Sequence, residues 1–98
     1  MKEITVKELK ERQANNEALN IIDVREQWEY EEDNIGAQLI QLGDIPTKLS
    51  EIESLRHKEV IVHCKTGGRS GRAQKYLISQ GFTNVVNLLG GIEEYRID

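Results

Sequence analysis

The sequence predicts an open α/β fold, a parallel sheet of about five strands with helices on both faces. Three observations predict it. Short apolar runs alternate along the chain with segments of helical periodicity. The run Leu19-Asn20-Ile21-Ile22-Asp23-Val24 is compact and apolar, as befits a strand buried on both faces. The chain carries no repeat, low-complexity stretch or linker that would divide it.

Each element has its own signal. Ile4 belongs to a short opening strand. Thr5-Val6-Lys7-Glu8 is a capping box, so a helix is expected to start there and run to about residue 14. Residues 19–24 form the second strand. Residues 26–32 suit a short helix, with Trp28 expected to face inward. Gln38-Leu39-Ile40 suits a short strand. Ile45, Leu49 and Ile52 recur at helical spacing, so residues 46–54 are expected to form one amphipathic helix. Residues 59–63 are the clearest strand. Residues 70–80 are the clearest helix, with Ala73, Tyr76 and Leu77 on one face. Gly81 is placed to end it in the left-handed region, with Phe82 folding back on Leu77. Val85-Val86-Asn87 is the last strand, and Gly90-Gly91 turns the chain into a closing segment, residues 92–95.

Composition narrows the function. The 98 residues suit a single domain spanning 1–98, 38% hydrophobic and 31% charged. A net charge of -4 argues against a general nucleic-acid binder. No apolar run reaches membrane-spanning length, and the N-terminal sequence MKEITVKELKERQ lacks a signal-peptide core. The expected location is therefore the cytoplasm, with neither nucleic acid nor membrane as a partner. The chain has one cysteine, Cys64, so an internal disulfide and a CxxC site are excluded. With two histidines, His57 and His63, it makes a poor metal set, and no metal is expected.

Cys64 stands where the clearest strand ends, in VIVHCKTGGRSGRAQ. In open α/β sheets ligands bind beyond the C-terminal ends of strands. Cys64-Lys65-Thr66-Gly67-Gly68-Arg69 then leads into a helix. Successive amides in such a loop converge on an anion, and the helix start adds its positive end. Lys65 and Arg69 bring formal charge, and Ser70 offers a hydroxyl to the sulfur or a cap to the helix. All of this favours thiolate over thiol. A lone cysteine after an apolar strand is commonly just a small buried side chain. The thiol, the glycines, the arginine and the helix start together outweigh that reading. The residues Lys65 to Gly68 separate Cys64 from Arg69, a shorter loop than cysteine phosphatases use. A smaller cradle suits an added sulfur atom better than a tetrahedral phosphate.

At these residues the chain resembles the rhodanese family of sulfurtransferases, whose active loop has the form C-x-x-G-x-R followed by Ser or Thr; here it reads CKTGGRS. Asp23-Val24-Arg25-Glu26 is similar to the family's DVRE signature, followed by Glu29-Tyr30. Gly81-Phe82 with Asn84-Val85, and Gly90-Gly91-Ile92, match two further family segments. The resemblance spans nearly the whole chain and implies a rhodanese-like, stand-alone domain. Two departures stand out. Asp33-Asn34-Ile35-Gly36-Ala37 lacks a histidine and one residue usual in the family's early loop, and Tyr95 replaces its closing tryptophan.

The resemblance implies a mechanism. Cys64 attacks the outer sulfur of thiosulfate or a persulfide, carries it as a cysteine persulfide, and passes it to an acceptor such as a thiol or cyanide. The loop Lys65, Thr66, Gly67, Gly68, Arg69 and Ser70 would bind the donor and the anionic terminal sulfur, and no cofactor is needed. Arg69 either contacts the donor or braces the loop through backbone bonds. Arg25, on the same strand face as Asp23, is expected to pair with it, with substrate binding at the site mouth as a further role. His63 should point away from the thiol, because adjacent strand residues face opposite sides. The acidic run from Glu26 to Asp33 reads as a solvated face or a docking surface. One alternative is a sulfur carrier or relay module serving a protein donor or acceptor. Another is a small cysteine phosphatase or arsenate reductase, which the loop length disfavours.

Overall fold

The computed structural model describes residues 1–97. Five strands are formed by Glu3–Ile4 (β1), Ile21–Asp23 (β2), Gln38–Leu39 (β3), Val60–His63 (β4) and Val85–Leu88 (β5). They make one sheet in the order β1-β5-β4-β2-β3, and every pairing is parallel. β4 lies at the centre. From β2 the chain moves to β3 on one side, and from β4 it moves to β5 on the other. The switch point of the sheet therefore falls between the C-terminal ends of β2 and β4, where α/β folds place their ligands. Cys64 and Arg25 follow those two ends.

The helices are Val6–Ala14 (α1), Gln27–Glu32 (α2), Ile45–Lys48 (α3), Gly68–Ser79 (α4) and Gly91–Ile97 (α5). Their ends have local causes. α1 opens with the expected capping box. Thr5 Oγ1 accepts from the Glu8 N–H at 3.1 Å, and the Glu8 carboxylate accepts from the Thr5 N–H at 3.2 Å. At the start of α2, Glu29 Oε1 accepts from the Glu26 N–H. The long α4 ends in a Schellman motif: Phe82 N–H donates to Leu77 O and Gly81 N–H to Ile78 O, each at 3.0 Å, with Gly81 at φ +95.

Two sequence expectations are corrected. Residues 46–54 are not one α-helix. α3 is a single short turn, and Leu49–Leu55 continue as 3-10 helix with a kink at Ile52. Leu49, Ile52 and Leu55 recur every third residue, which is the 3-10 period, and all three pack on the core. Trp28 does not face inward; it is 62% exposed. The short α2 is tied down through other side chains: Tyr30 donates to the Ala37 carbonyl at 2.6 Å, and Glu29 turns toward the loop after β4.

The core has two layers, one on each face of the sheet. Val60, Val62 and Cys64 alternate onto one face, with Ala73 and Leu77 of α4 and with Ile45 and Ile52. Ile61, Val86 and Leu88 face the other, under Val6 and Leu9 of α1 and with Tyr95 of α5. Tyr95, where the family has tryptophan, also donates its hydroxyl to Gln13 at 2.9 Å. Among the described residues, no helix is long and apolar enough to cross a membrane.

Candidate active site

The centre of the site is a turn that strand and helix build together. β4 ends at His63 and α4 begins at Gly68, so Cys64 to Gly67 must reverse direction between them. Gly67 sits at φ +120, a conformation that L side chains rarely adopt, and it caps α4. The reversal turns the Gly67 N–H back onto Cys64 Sγ at 3.1 Å. One turn into the helix, Ser70 Oγ lies 3.3 Å from the same sulfur.

These donors set the thiol's acidity. Burial pushes the Cys64 thiol up. The Ser70 hydroxyl and the amides of Ser70, Gly67 and Thr66 act against burial and hold it below the ordinary cysteine value. The Cys64 residue is only 1% exposed, while Lys65, Thr66 and Gly68 beside it are exposed. The sulfur thus sits just beneath this exposed rim.

The closing helix holds the loop from the other side. Ile92 N–H donates to the Cys64 carbonyl at 3.0 Å and Glu93 N–H to the Lys65 carbonyl at 3.1 Å. Gly91, at φ +59, lets the two backbones approach, since a Cβ there would overlap both carbonyl oxygens. The first free amides of α5 therefore satisfy the carbonyls of the cysteine loop.

The other predicted residues divide. Arg69 lies on the first turn of α4, and its guanidinium forks onto Glu29 at 2.6 and 3.0 Å. It braces the loop, but against a side chain of α2 rather than through backbone bonds. Arg69 holds the Glu29 carboxyl down at about 2, against the opposing effect of burial. Arg25 is 5% exposed. It bonds the Asp23 carboxylate at 2.8–3.2 Å and donates to the Asp33 carbonyl at 2.6 Å. The expected Asp23 pair is present, and Arg25 also lines a groove beside Lys65. Lys65 is exposed and lines this groove of about 340 Å³ with Arg25, Trp28, Glu32, Ile92 and Arg96.

His63 faces away from the sulfur, as strand alternation requires. Its ring is buried, with Nδ1 3.2 Å from the Cys64 carbonyl and Nε2 3.5 Å from Asp23 Oδ2. Burial keeps it below the ordinary histidine value despite Asp23. It is a neutral wedge behind the loop, not a base for the thiol.

Two contributors escape sequence reasoning. Glu29 lies in an acidic run, and nothing local marks it as Arg69's partner. Asn87 reads simply as a residue of the last strand, yet its Nδ2 donates to the Gly67 carbonyl at 3.2 Å. A polar side chain in the apolar run Val85–Leu88 is the signal that points to it, because a buried amide needs a partner.

The match to known proteins agrees with this geometry. The model of the Rhodanese-like domain matches residues 5–98. The chain belongs to that family. YtwF of Bacillus subtilis, provisionally named a sulfurtransferase, is 41% identical over 93 residues, covering 94% of this chain and 87% of that protein. A sulfurtransferase of Allochromatium vinosum is 35% identical, with 92% and 83% covered. YrkF of B. subtilis, provisionally named a sulfur carrier protein, is 34% identical over 95% of this chain, which spans 50% of that longer protein. Among solved structures, a rhodanese-like domain protein from Staphylococcus aureus superposes with a TM-score of 0.85 at 30% identity, covering 97% of this chain and 91% of that one. The family and these relatives support sulfur transfer as the general chemistry.

Proposed function

We propose that the protein is a sulfurtransferase of the rhodanese type in which Cys64 is the sulfur-carrying nucleophile. The observation that supports this most is the convergence of the Gly67 N–H and the Ser70 hydroxyl on Cys64 Sγ at the head of α4. The same donors that favour a thiolate suit a persulfide anion one atom further out.

The steps balance without a cofactor. The Cys64 thiolate attacks the sulfane sulfur of thiosulfate. A new S–S bond forms, the donor's S–S bond breaks, and sulfite leaves with the electron pair. A persulfide donor reacts in the same way and releases a thiolate. The acceptor, cyanide or a thiolate, then attacks the terminal sulfur and restores Cys64 as thiolate. In this reading Thr66 to Ser70 form the cradle, Lys65 attracts the anionic donor at the rim, and Arg69 shapes the loop through Glu29. Arg25 fixes the end of β2 through Asp23 and lines the groove beside Lys65.

A second reading is a sulfur relay for a protein donor or acceptor. It is favoured by the similarity to YrkF, provisionally named a sulfur carrier protein. One experiment addresses both. The purified protein is incubated with thiosulfate or a low-molecular-weight persulfide, its intact mass is taken, and thiocyanate is assayed with cyanide. A gain of one sulfur atom that is absent in Cys64→Ser, with rapid turnover, supports the enzyme. A stable adduct with slow turnover supports the relay. No adduct from either small donor overturns the enzyme, and no sulfur passed to Cys64 from a persulfidated protein donor overturns the relay.

A further inference from the structure

Three donors converge on one carbonyl beside the thiol. The Gly67 oxygen lies 3.0 Å from the Gly71 nitrogen, 3.2 Å from Ser70 Oγ and 3.2 Å from Asn87 Nδ2. A carbonyl oxygen has two lone pairs. The Gly71 N–H is committed, because it makes the first i to i−4 bond of α4. Ser70 and Asn87 are left for the remaining lone pair. Ser70 has a single proton and an alternative acceptor, Cys64 Sγ at 3.3 Å. Among the described residues, Asn87 Nδ2 has no other acceptor. The two demands are both met only when Asn87 takes the carbonyl and Ser70 takes the sulfur.

We propose that Asn87 is a positioning residue for the nucleophile: by occupying the Gly67 carbonyl, it directs the one Ser70 proton onto Cys64 Sγ. The inference rests on the reading of Cys64 as the nucleophile. Asn87 is suited to the task because it is 9% exposed and its backbone is fixed in β5, paired with Val62 of β4. Its reach to Gly67 is therefore set by the sheet and not by the loop itself. The charged groups around the thiol are Arg69 with Glu29 from α2, the exposed Lys65, and Glu93 at the start of α5. Arg25 lines the groove beside Lys65, while Asp23 and the neutral His63 lie behind the loop. None of these is hydrogen-bonded to Asn87, so a change at Asn87 reaches the sulfur only through Gly67 and Ser70, and the Ser70→Ala background separates the two.

Substitution has an unusual signature. Without the amide, the Gly67 carbonyl is not orphaned, because the Ser70 hydroxyl can swing onto it. The fold keeps its hydrogen bond and the sulfur loses one. The test is the pH dependence of Cys64 alkylation by iodoacetamide in Asn87→Leu, in Ser70→Ala and in the double variant. The midpoint should rise in Asn87→Leu, with alkylation near neutral pH falling roughly three- to tenfold, the range for losing one hydrogen bond. In the Ser70→Ala background the same substitution should change nothing further. Asn87→Ala removes the donor without adding bulk and must agree if Asn87→Leu folds poorly. An unchanged midpoint in both single variants, or an equal loss with and without Ser70, overturns the proposal. Alkylation needs no sulfur donor, so this result is read independently of persulfide formation. A protein that takes no sulfur at all still reports whether Asn87 controls the thiol.

Discussion

Glu29 and Arg69 form a two-pronged ion pair, 40 residues apart in sequence, that joins α2 to the first turn of α4. The same Glu29 caps α2 by accepting from the Glu26 N–H at 3.0 Å. One carboxylate therefore orders the segment after β2 and the segment after β4, the two that flank the sheet's switch point. Its side chain is 11% exposed and that of Arg69 30%, so solvent screens the pair only in part. We expect Glu29→Gln to cost about 1–2 kcal/mol of stability at neutral pH, measured by urea unfolding. The sign with pH follows from a folded-state pKa of about 2, below that of a free glutamate. The stabilisation is complete above the ordinary glutamate range and is lost as pH falls toward about 2. Glu29→Gln should flatten that acid-side loss. An unchanged acid limb would show that the pair does not hold α2 to the loop.

Ser70→Ala should raise the pH at which Cys64 becomes reactive. In the folded protein burial alone would raise the thiol's pKa, and the Ser70 hydroxyl is the largest of the effects that reverse it. Removing it lets burial gain ground. Alkylation near neutral pH is expected to fall roughly three- to tenfold, with little change once the pH exceeds the new midpoint. Linkage gives a second readout. Because the folded pKa lies below the unfolded one, the thiolate's contribution to stability is present above the unfolded cysteine pKa and is lost as pH falls through the folded value. That alkaline gain should shrink in Ser70→Ala. A midpoint that stays put would assign the acidity to the loop amides alone.

Asp23 and Arg25 are legible in the sequence as a strand pair, and the structure places both in the interior, at 0% and 5% exposure. Asp23→Ala would leave the guanidinium bonded to two backbone carbonyls, Glu29 O and Asp33 O, with no carboxylate bonded to it. Breaking a buried pair by removing one partner costs about 3–5 kcal/mol. Urea unfolding should show a loss of that order, and the thermal midpoint should fall with it. Because Asp23 also lies 3.5 Å from His63 Nε2, the variant should leave His63 still harder to protonate, which histidine chemical shifts against pH would report. A loss of stability no larger than for a surface ion pair would contradict the buried role.

How far the sequence reaches depends on the range of the interaction. Thr5, Glu8 and Gly81 act on neighbours within a few residues, so the start of α1 and the end of α4 can be read directly. Cys64, Gly67 and Ser70 lie on one turn, so the core of the candidate site is legible too. The segment after Ile45 is not, because Ile45, Leu49 and Ile52 fit an α-helical stripe while Leu49, Ile52 and Leu55 fit a 3-10 one, and only packing on the sheet chooses between them. Trp28 misleads for a related reason. A hydrophobic residue on a six-residue helix has no periodicity to orient it, and Tyr30 and Glu29 take the inward contacts. Glu29 and Asn87 reach the loop from other elements, which no local pattern records.

Gly91→Ala should damage the loop more than any change on its rim. At φ +59 the backbone of Gly91 is in the left-handed region, where an alanine is strained by about 1–2 kcal/mol. Its Cβ would also overlap the carbonyl oxygens of Cys64 and Lys65, which are backbone atoms and cannot swing aside. Relief requires α5 to move away, and that breaks the bonds from Ile92 and Glu93 to those carbonyls. Overpacking of this kind adds about 1–3 kcal/mol, so a total loss of about 2–5 kcal/mol is expected by urea unfolding. The site should suffer in the part that still folds. With the Cys64 and Lys65 carbonyls released, the Gly67 amide loses its aim on the sulfur, and the alkylation midpoint of Cys64 should rise. Gly43 offers the control, because its φ is not in the left-handed region and a Cβ there meets nothing within 4 Å. Gly43→Ala should leave both stability and thiol reactivity close to the parent protein, and a Gly91→Ala protein that behaved like Gly43→Ala would remove α5 from the support of the active loop.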